Sequence, residues 1–304
     1  MMLSRNDIFR ELGKQLCIYP VIFDNIKENS INISSSEYAW TQEGGTAYWY
    51  GGKDFRISSK NGAPKKTHTF KKGEKSIFII KENNGEDKKY LILFPHQTTN
   101  VESLEVLALG KKIGGAVHSK VGIVMKGIGD CGTMLGPEYC GHLLISLHNI
   151  TDDIIAIDIG ETVASLTFDY LKTPVKRMSN TISSHKDKLL ERKFDLSDED
   201  SAYFSEDWKS NFFSINQKMK KSESYNQFCR EYSKTIGAQI KDFFNLRNVF
   251  LILGAIAILL FFHWGAYKLD QKLTDPVWVD RYYNIFVVAI VAILLSAYGK
   301  LFKR

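Results

Sequence analysis

Four residues in the segment His118-Ser119-Lys120-Val121-Gly122 are of the types that hold phosphate. Ser119 can donate from its hydroxyl, Lys120 supplies a point charge, His118 can donate to an oxyanion, and Gly122 lets a ligand approach the backbone. A polar turn between strands would use the same residues, so the pattern fits a phosphate cradle and a plain turn alike. General acid–base chemistry would need a positioned carboxylate as well. Glu138 and Asp130 are the nearby ones, but a turn carboxylate is ordinarily solvated rather than tuned as a base.

The elements that would position these groups read as short strands. From His118 to Phe168, apolar runs alternate with Gly- and Asn-rich turns, the texture of a tightly turned β domain. Upstream, Ser4 and Asp7 have the spacing of a capping pair, and Ile8, Phe9 and Leu12 give a short helix one apolar face that Gly13 ends. Strands follow around Cys17-Ile18-Tyr19 and from Ile26 to Ser34, with Pro20 between them. Tyr38, Trp40, Tyr48, Trp49 and Tyr50, interrupted by Gly pairs, could stack on a base, although such strand aromatics more commonly pack a core or a subunit contact. Lys65, Lys66, Lys71, Lys72 and Lys75 could attract phosphate, although lysines on a strand edge more commonly serve as solvated residues. Ser76–Ile80 and Tyr90–Phe94 form a hairpin about an Asn83-Asn84-Gly85-Glu86 turn, and Leu104–Leu109 and Ile113–Val117 are further strands. Residues 1–174 are therefore expected to form a mainly β domain, a barrel or sandwich.

Beyond Pro174 the composition turns polar. Residues 175–247 read as a linker and an amphipathic helical stalk, with apolar positions at Phe212, Phe213, Ile215 and Met219, then at Tyr225, Phe228, Tyr232, Ile236 and Ile240. Mixed charges on the stalk favour packing against its own copies over a lipid-binding face. Residues 248–304 read as a hairpin of two transmembrane α-helices: Val249–Leu260 extended to Tyr267, then Ile285–Ala297, with interfacial Trp264, Tyr282, Tyr283 and Tyr298. Lys241, Arg247, Lys300, Lys303 and Arg304 flank the spans and place both termini in the cytoplasm, a multi-pass arrangement in the inner membrane. The lipid bilayer is then a partner.

At 304 residues the chain has room for one ordinary domain plus an appendage. A net charge of +6, with acidic residues scattered among basic ones, gives no nucleic-acid footprint. Cys17, Cys131, Cys140 and Cys229 are widely spaced and lack CxxC pairs, so they read as reduced thiols. The amino terminus has no apolar signal-peptide core.

The order of motifs over residues 1–174 resembles the dCTP deaminase and dUTPase superfamily, and more closely its deaminase branch. Leu3-Ser4-Arg5-Asn6-Asp7-Ile8 looks like that branch's opening helix. His118-Ser119-Lys120-Val121-Gly122 falls at its Arg-Ser-Ser phosphate segment, Leu135-Gly136-Pro137-Glu138-Tyr139-Cys140-Gly141-His142 at its Ile-Asp-Pro-Gly-Phe-x-Gly-His segment, and Ile159–Phe168 at its Pro-Gly-x-x-Ile-Ala-x-Leu-x-Phe strand. The resemblance implies a distorted β-barrel or jelly roll, a homotrimer or higher homo-oligomer, and nucleotide sites between subunits. It also implies lost catalysis. Ser146 stands where a deaminase carries its water-activating Glu, Gly136 where a dUTPase carries its Asp, and Ile123 where the phosphate segment carries a later Arg. Cys131, Cys140 and His142 lack the His-x-Glu and Pro-Cys-x-x-Cys spacing of zinc deaminases, so no metal and no cofactor are expected.

The expectation is thus a membrane-anchored, catalytically inactive sensor or effector for a nucleotide or cyclic dinucleotide, in a setting such as anti-phage defence. Two alternatives stand beside it. One is an active membrane-attached pyrimidine nucleotide deaminase or diphosphatase using Glu138, and the other is a trimeric scaffold that binds nothing.

Overall fold

The computed structural model describes residues 1–59, 62–81, 87–130, 132–175, 189–243 and Trp264, with residues 235–243 as backbone. The expected turn at residues 83–86, Cys131, residues 176–188, and both apolar runs apart from Trp264 lie outside the described residues. Among the described residues no helix is long and apolar enough to cross a membrane.

Helix α1 (Arg5–Glu11) begins with a reciprocal cap: the Asp7 N–H donates to the Ser4 hydroxyl oxygen while the Ser4 N–H donates to the Asp7 carboxylate. Its Ile8 and Phe9 are buried. The remainder is mainly β. An eight-stranded sheet runs β10 (Ile128–Asp130), β12 (Cys140–Asn149), β8 (Thr98–Leu109), β2 (Ile31–Thr41), β14 (Thr162–Tyr170), β9 (Ile113–Ser119) and β11 (Met134–Leu135), with β1 (Leu16–Tyr19) also paired to β8. Two three-stranded sheets complete it: β13 (Ile155–Asp158), β7 (Asp87–Leu93) and β6 (Ile77–Lys81), and β4 (Asp54–Arg56), β3 (Gly45–Gly51) and β5 (Lys66–Phe70). The ladders joining them are antiparallel.

The two small sheets share an aromatic core of Phe55, Phe70, Phe78, Tyr90 and Phe94. Phe55 meets Phe78 edge-to-face at 5.1 Å and Phe70 meets Phe94 at 5.6 Å, the geometry that the ring quadrupole favours. Of the aromatic run read from the sequence, Trp49 packs against this core, whereas Trp40 is wholly buried with Leu189 and Phe194.

Of the segment read as linker and stalk, residues 189–230 pack onto the β domain. One compact unit extends from Met1 to Arg230, and a second comprises Glu231–Arg304. Within the first, α3 (Asp198–Phe204) is fastened by a stack of Tyr203 on Tyr38, centroids 3.6 Å apart, and by Lys75, which pairs with Asp200 at 3.0 Å. Lys75 is thereby a structural tie and not the solvated edge lysine expected of it. Helix α4 (Phe212–Lys221) buries Ile215 and Met219, and the Ile18 N–H donates to the Met219 sulfur at 3.4 Å. At the start of α5 (Glu223–Phe243), Phe228 meets Phe9 at 5.5 Å and Phe23 at 6.3 Å. Phe228, assigned from sequence to contacts between copies, is occupied within the chain, as is Met219. The side chains of Ile236 and Ile240 lie outside the described residues.

Candidate functional site

Strand β9 lies between β14 and β11, and beyond buried Val117 its last residues are exposed on both faces. Val117 is buried, while His118, Ser119 and, half-exposed, Lys120 follow at the strand's end. The close approach of β9 to β14 depends on Gly115, where an added Cβ would sit 2.7 Å from the Thr167 carbonyl oxygen. The register sets Ser165 opposite His118 and Ala164 opposite Ser119. After Lys120 the chain turns into one helical turn, α2 (Val121–Val124), anchored by buried Ile123.

All four residues of the expected cradle therefore gather at one end of β9. His118 Nε2 lies 2.9 Å from the Thr167 hydroxyl, and the Lys120 ammonium donates to the Thr162 hydroxyl. A Cβ placed on Gly122 would meet nothing within 4 Å, so this backbone is open to approach. Residues that carried no role in the sequence reading surround it. Lys126 pairs with Glu161, and Lys53 lies 2.6 Å from Asp158 and 3.4 Å from Glu161. Burial opposes the charge on Glu161, but the hydrogen bond and charge of Lys126, with Lys53, hold its carboxyl below the usual range. The hydrogen bond to Asp158 raises Lys53 above the ordinary lysine value. A phosphate here would meet Lys120 and the hydroxyls beside it, while the adjacent carboxylate Glu161 is tied to two ammonium groups and is a poor base.

The other candidate residues lie elsewhere. Glu138 adopts a left-handed turn conformation with φ 62°, its N–H reaches the Gly110 carbonyl at 3.4 Å, and its carboxylate is 3.9 Å from Lys111. These neighbours precede β9, whereas Lys120 follows it. At about 3.3 Å per residue the strand spans roughly 20 Å, too far for Glu138 to serve a ligand held by Lys120 of the same chain. Asp130 pairs through its backbone with Leu147. The Ser146 hydroxyl donates to Asn100 Oδ1 at 2.9 Å, and a Cβ at Gly136 would meet nothing within 4 Å. His142 is buried in a structural network, Nδ1 at 2.8 Å from the Ser103 carbonyl and Nε2 at 2.8 Å from the Tyr203 hydroxyl. Burial pushes the Cys17 thiol up to about 12, so it stays protonated at neutral pH. Among the described residues no group of three or more His, Cys, Asp or Glu is placed to hold a metal ion.

A buried carboxylate on β8 carries no local sequence signal. Glu105, on β8, is 1% exposed; one carboxylate oxygen accepts from the Ser34 N–H at 2.9 Å and the other has no hydrogen-bond partner. Burial lifts its carboxyl to about 7.

No protein-family model and no curated protein matches the chain. Among solved structures, the chain is similar to the 2'-deoxycytidine 5'-triphosphate deaminase of Agrobacterium tumefaciens, at 14% identity and a TM-score of 0.38 over 62% of this chain and 53% of that one. It thus spans about half of that deaminase. A mutant dUTPase of Staphylococcus bacteriophage 80alpha with dUpNHpp is similar at 16% identity and a TM-score of 0.26, over 31% of this chain and 82% of the dUTPase. Neither match assigns a reaction. The chemistry of the site rests on this chain's own side chains.

Proposed function

We propose that the chain is a membrane-anchored nucleotide-binding protein without catalytic activity, a sensor or effector that answers a nucleotide or cyclic dinucleotide. The observation that carries this reading is the succession of His118, Ser119, Lys120 and open Gly122 at one end of β9, beside carboxylates, Asp158 and Glu161, that are paired with lysines. The positions given to catalysis by the sequence resemblance support it: Ile123 is buried, Ser146 is bonded to Asn100, and Gly136 carries no side chain. The homotrimer or similar assembly that the sequence resemblance implies would let Glu138 of another copy reach a ligand at Lys120. Exposed Val121, Val124 and Met125 beside the cradle offer apolar surface for such a contact. In this reading the apolar runs of residues 249–267 and 285–297 anchor the protein in the inner membrane, and a change in nucleotide occupancy perturbs that membrane, as an anti-phage effector would.

Calorimetry of the full chain in detergent, against dCTP, dUTP and cyclic dinucleotides, tests the binding. One of these is expected to bind without turnover, and Ser119→Ala/Lys120→Ala is expected to weaken it by about 10- to 100-fold, since a hydrogen bond to a charged group contributes roughly 1.5–3 kcal/mol. Turnover abolished by Glu138→Ala would establish the enzyme instead, and no binding by any of them would leave the scaffold. The role of the spans has its own test. Replacing residues 249–298 with an unrelated anchor is expected to abolish dye leakage from expressing cells, and unchanged leakage would reduce the spans to a tether.

A further inference from the structure

The C-terminal layer of the β domain holds a depression of about 450 Å³ between β1 and α4, on different elements from the β9 cradle. Two of its walls are aromatic. Tyr19, the last residue of β1, meets Trp208 edge-to-face, centroids 5.6 Å apart and planes at 88°. The other walls come from α4, whose last turn is basic, and supply Lys218 and Lys221 together with the polar side chains of Ser214 and Gln217. The Lys218 ammonium sits 3.6 Å from the centroid of Trp208 and 5.5 Å from that of Tyr19, so its charge is held at the aromatic surface. The nearby carboxylate, Glu206, is already engaged: it accepts from Trp208 Nε1 at 2.9 Å and pairs with Lys209 at 3.0 Å. Neither Lys218 nor Lys221 forms an ion pair with a carboxylate among the described residues.

From this geometry we infer a second ligand site, for a small planar anion: an aromatic ring that lies against Tyr19 and Trp208, carrying a phosphate or carboxylate that Lys218 and Lys221 bind. The division of labour is physical. Aromatic walls take a ring of any kind through its π-face, whereas two ammonium groups on successive turns of one helix demand negative charge. The volume falls within the range of small-molecule sites and suits a group the size of a nucleoside monophosphate. Ser214 and Gln217 can complete the hydrogen bonding of the anion or of ring heteroatoms.

The test titrates the full chain in detergent with adenosine 5'-monophosphate, adenosine and inorganic phosphate by calorimetry. Saturable binding of the monophosphate below about 1 mM is expected, with adenosine and phosphate each at least tenfold weaker, because each lacks one half of the recognition. Trp208→Ala and Lys218→Ala/Lys221→Ala should each weaken the monophosphate at least tenfold, while Ser119→Ala/Lys120→Ala should leave it unchanged. Because Lys221 is exposed and Lys218 half-exposed, their loss should lower the thermal unfolding midpoint by no more than a few degrees, which separates lost recognition from lost folding. Absence of saturable monophosphate binding, or binding that survives both pocket variants, overturns the proposal. Binding lost only in Ser119→Ala/Lys120→Ala overturns it too and assigns the nucleotide to the β9 cradle.

Discussion

Glu105→Gln is expected to raise the stability of the protein at pH 8 by up to about 3 kcal/mol and to flatten its pH dependence between about pH 4.5 and 7. Glu105 is buried on β8 with one carboxylate oxygen accepting from the Ser34 N–H and the other without a partner, and its carboxyl is raised from the ordinary 4.5 to about 7. The fold therefore favours the neutral acid. Between those two values the native chain holds a proton that the unfolded chain has released, so stability falls as pH rises through this window and levels off above pH 7. A shift of about 2.5 units at 1.36 kcal/mol per unit gives the roughly 3 kcal/mol. Gln is neutral throughout and keeps the acceptor for Ser34, so it removes the penalty while leaving the contact. Asp7 and Glu161, whose carboxyls are held below the ordinary range, act with the opposite sign and only as pH falls below that range, so they do not blur this window. Thermal unfolding of both forms at pH 5 and pH 8 reads the effect. A wild-type midpoint that does not drop between those two values, or a variant that drops as steeply, would show that Glu105 is ionised in the fold at little cost.

The same strand shows why part of the fold was legible in the sequence and part was not. Local chemistry announced itself. Ser4 and Asp7 form the expected cap, and the apolar runs at 76–80 and 90–94 pair as β6 and β7. By contrast β8 begins at Thr98, well before the apolar run from Leu104, because Thr99, Asn100, Glu102 and Ser103 are buried polar residues that alternation cannot reveal. Their burial depends on strands and helices far away in sequence. The role of Lys75 is invisible in local sequence for the same reason, since its partners Asp200 and Tyr38 belong to elements on either side of it in the chain. The helical periodicity of residues 212–228 was visible, but a period states only that a face is apolar. It does not say whether that face meets another copy or the chain's own β1 and α1, and here Met219 meets β1 and Phe228 meets α1, while Ile215 is buried on the same helix as Met219.

That docking yields the prediction with the larger effect. A chain ending after Arg230 is expected to retain the native β domain, and one ending after Val175 is expected to lose it or to survive only as an aggregating, protease-sensitive species. Residues 189–230 contribute five large apolar side chains that are at most 5% exposed: Leu189, Phe194, Ile215, Met219 and Phe228. At about 1.5–3 kcal/mol for each such side chain, their gross contribution is on the order of 10 kcal/mol, comparable to the whole stability of an ordinary domain even after part is offset by the entropy of ordering the helices. Their removal would also uncover Trp40, wholly buried with Leu189 and Phe194, and would take from His142 the hydroxyl of Tyr203. A single substitution isolates the central contact. Met219→Asp places a charge where the Ile18 N–H and the core meet, and should cost several kcal/mol, whereas Met219→Leu keeps volume and apolarity and should cost less than about 1.5 kcal/mol. Limited proteolysis and thermal unfolding of the two truncated chains and the two variants provide the measurement. If the chain ending after Val175 melts as cooperatively and as high as the longer one, α4 and the start of α5 rest on the β domain without supporting it, and the apolar positions of the helices are again available to another copy.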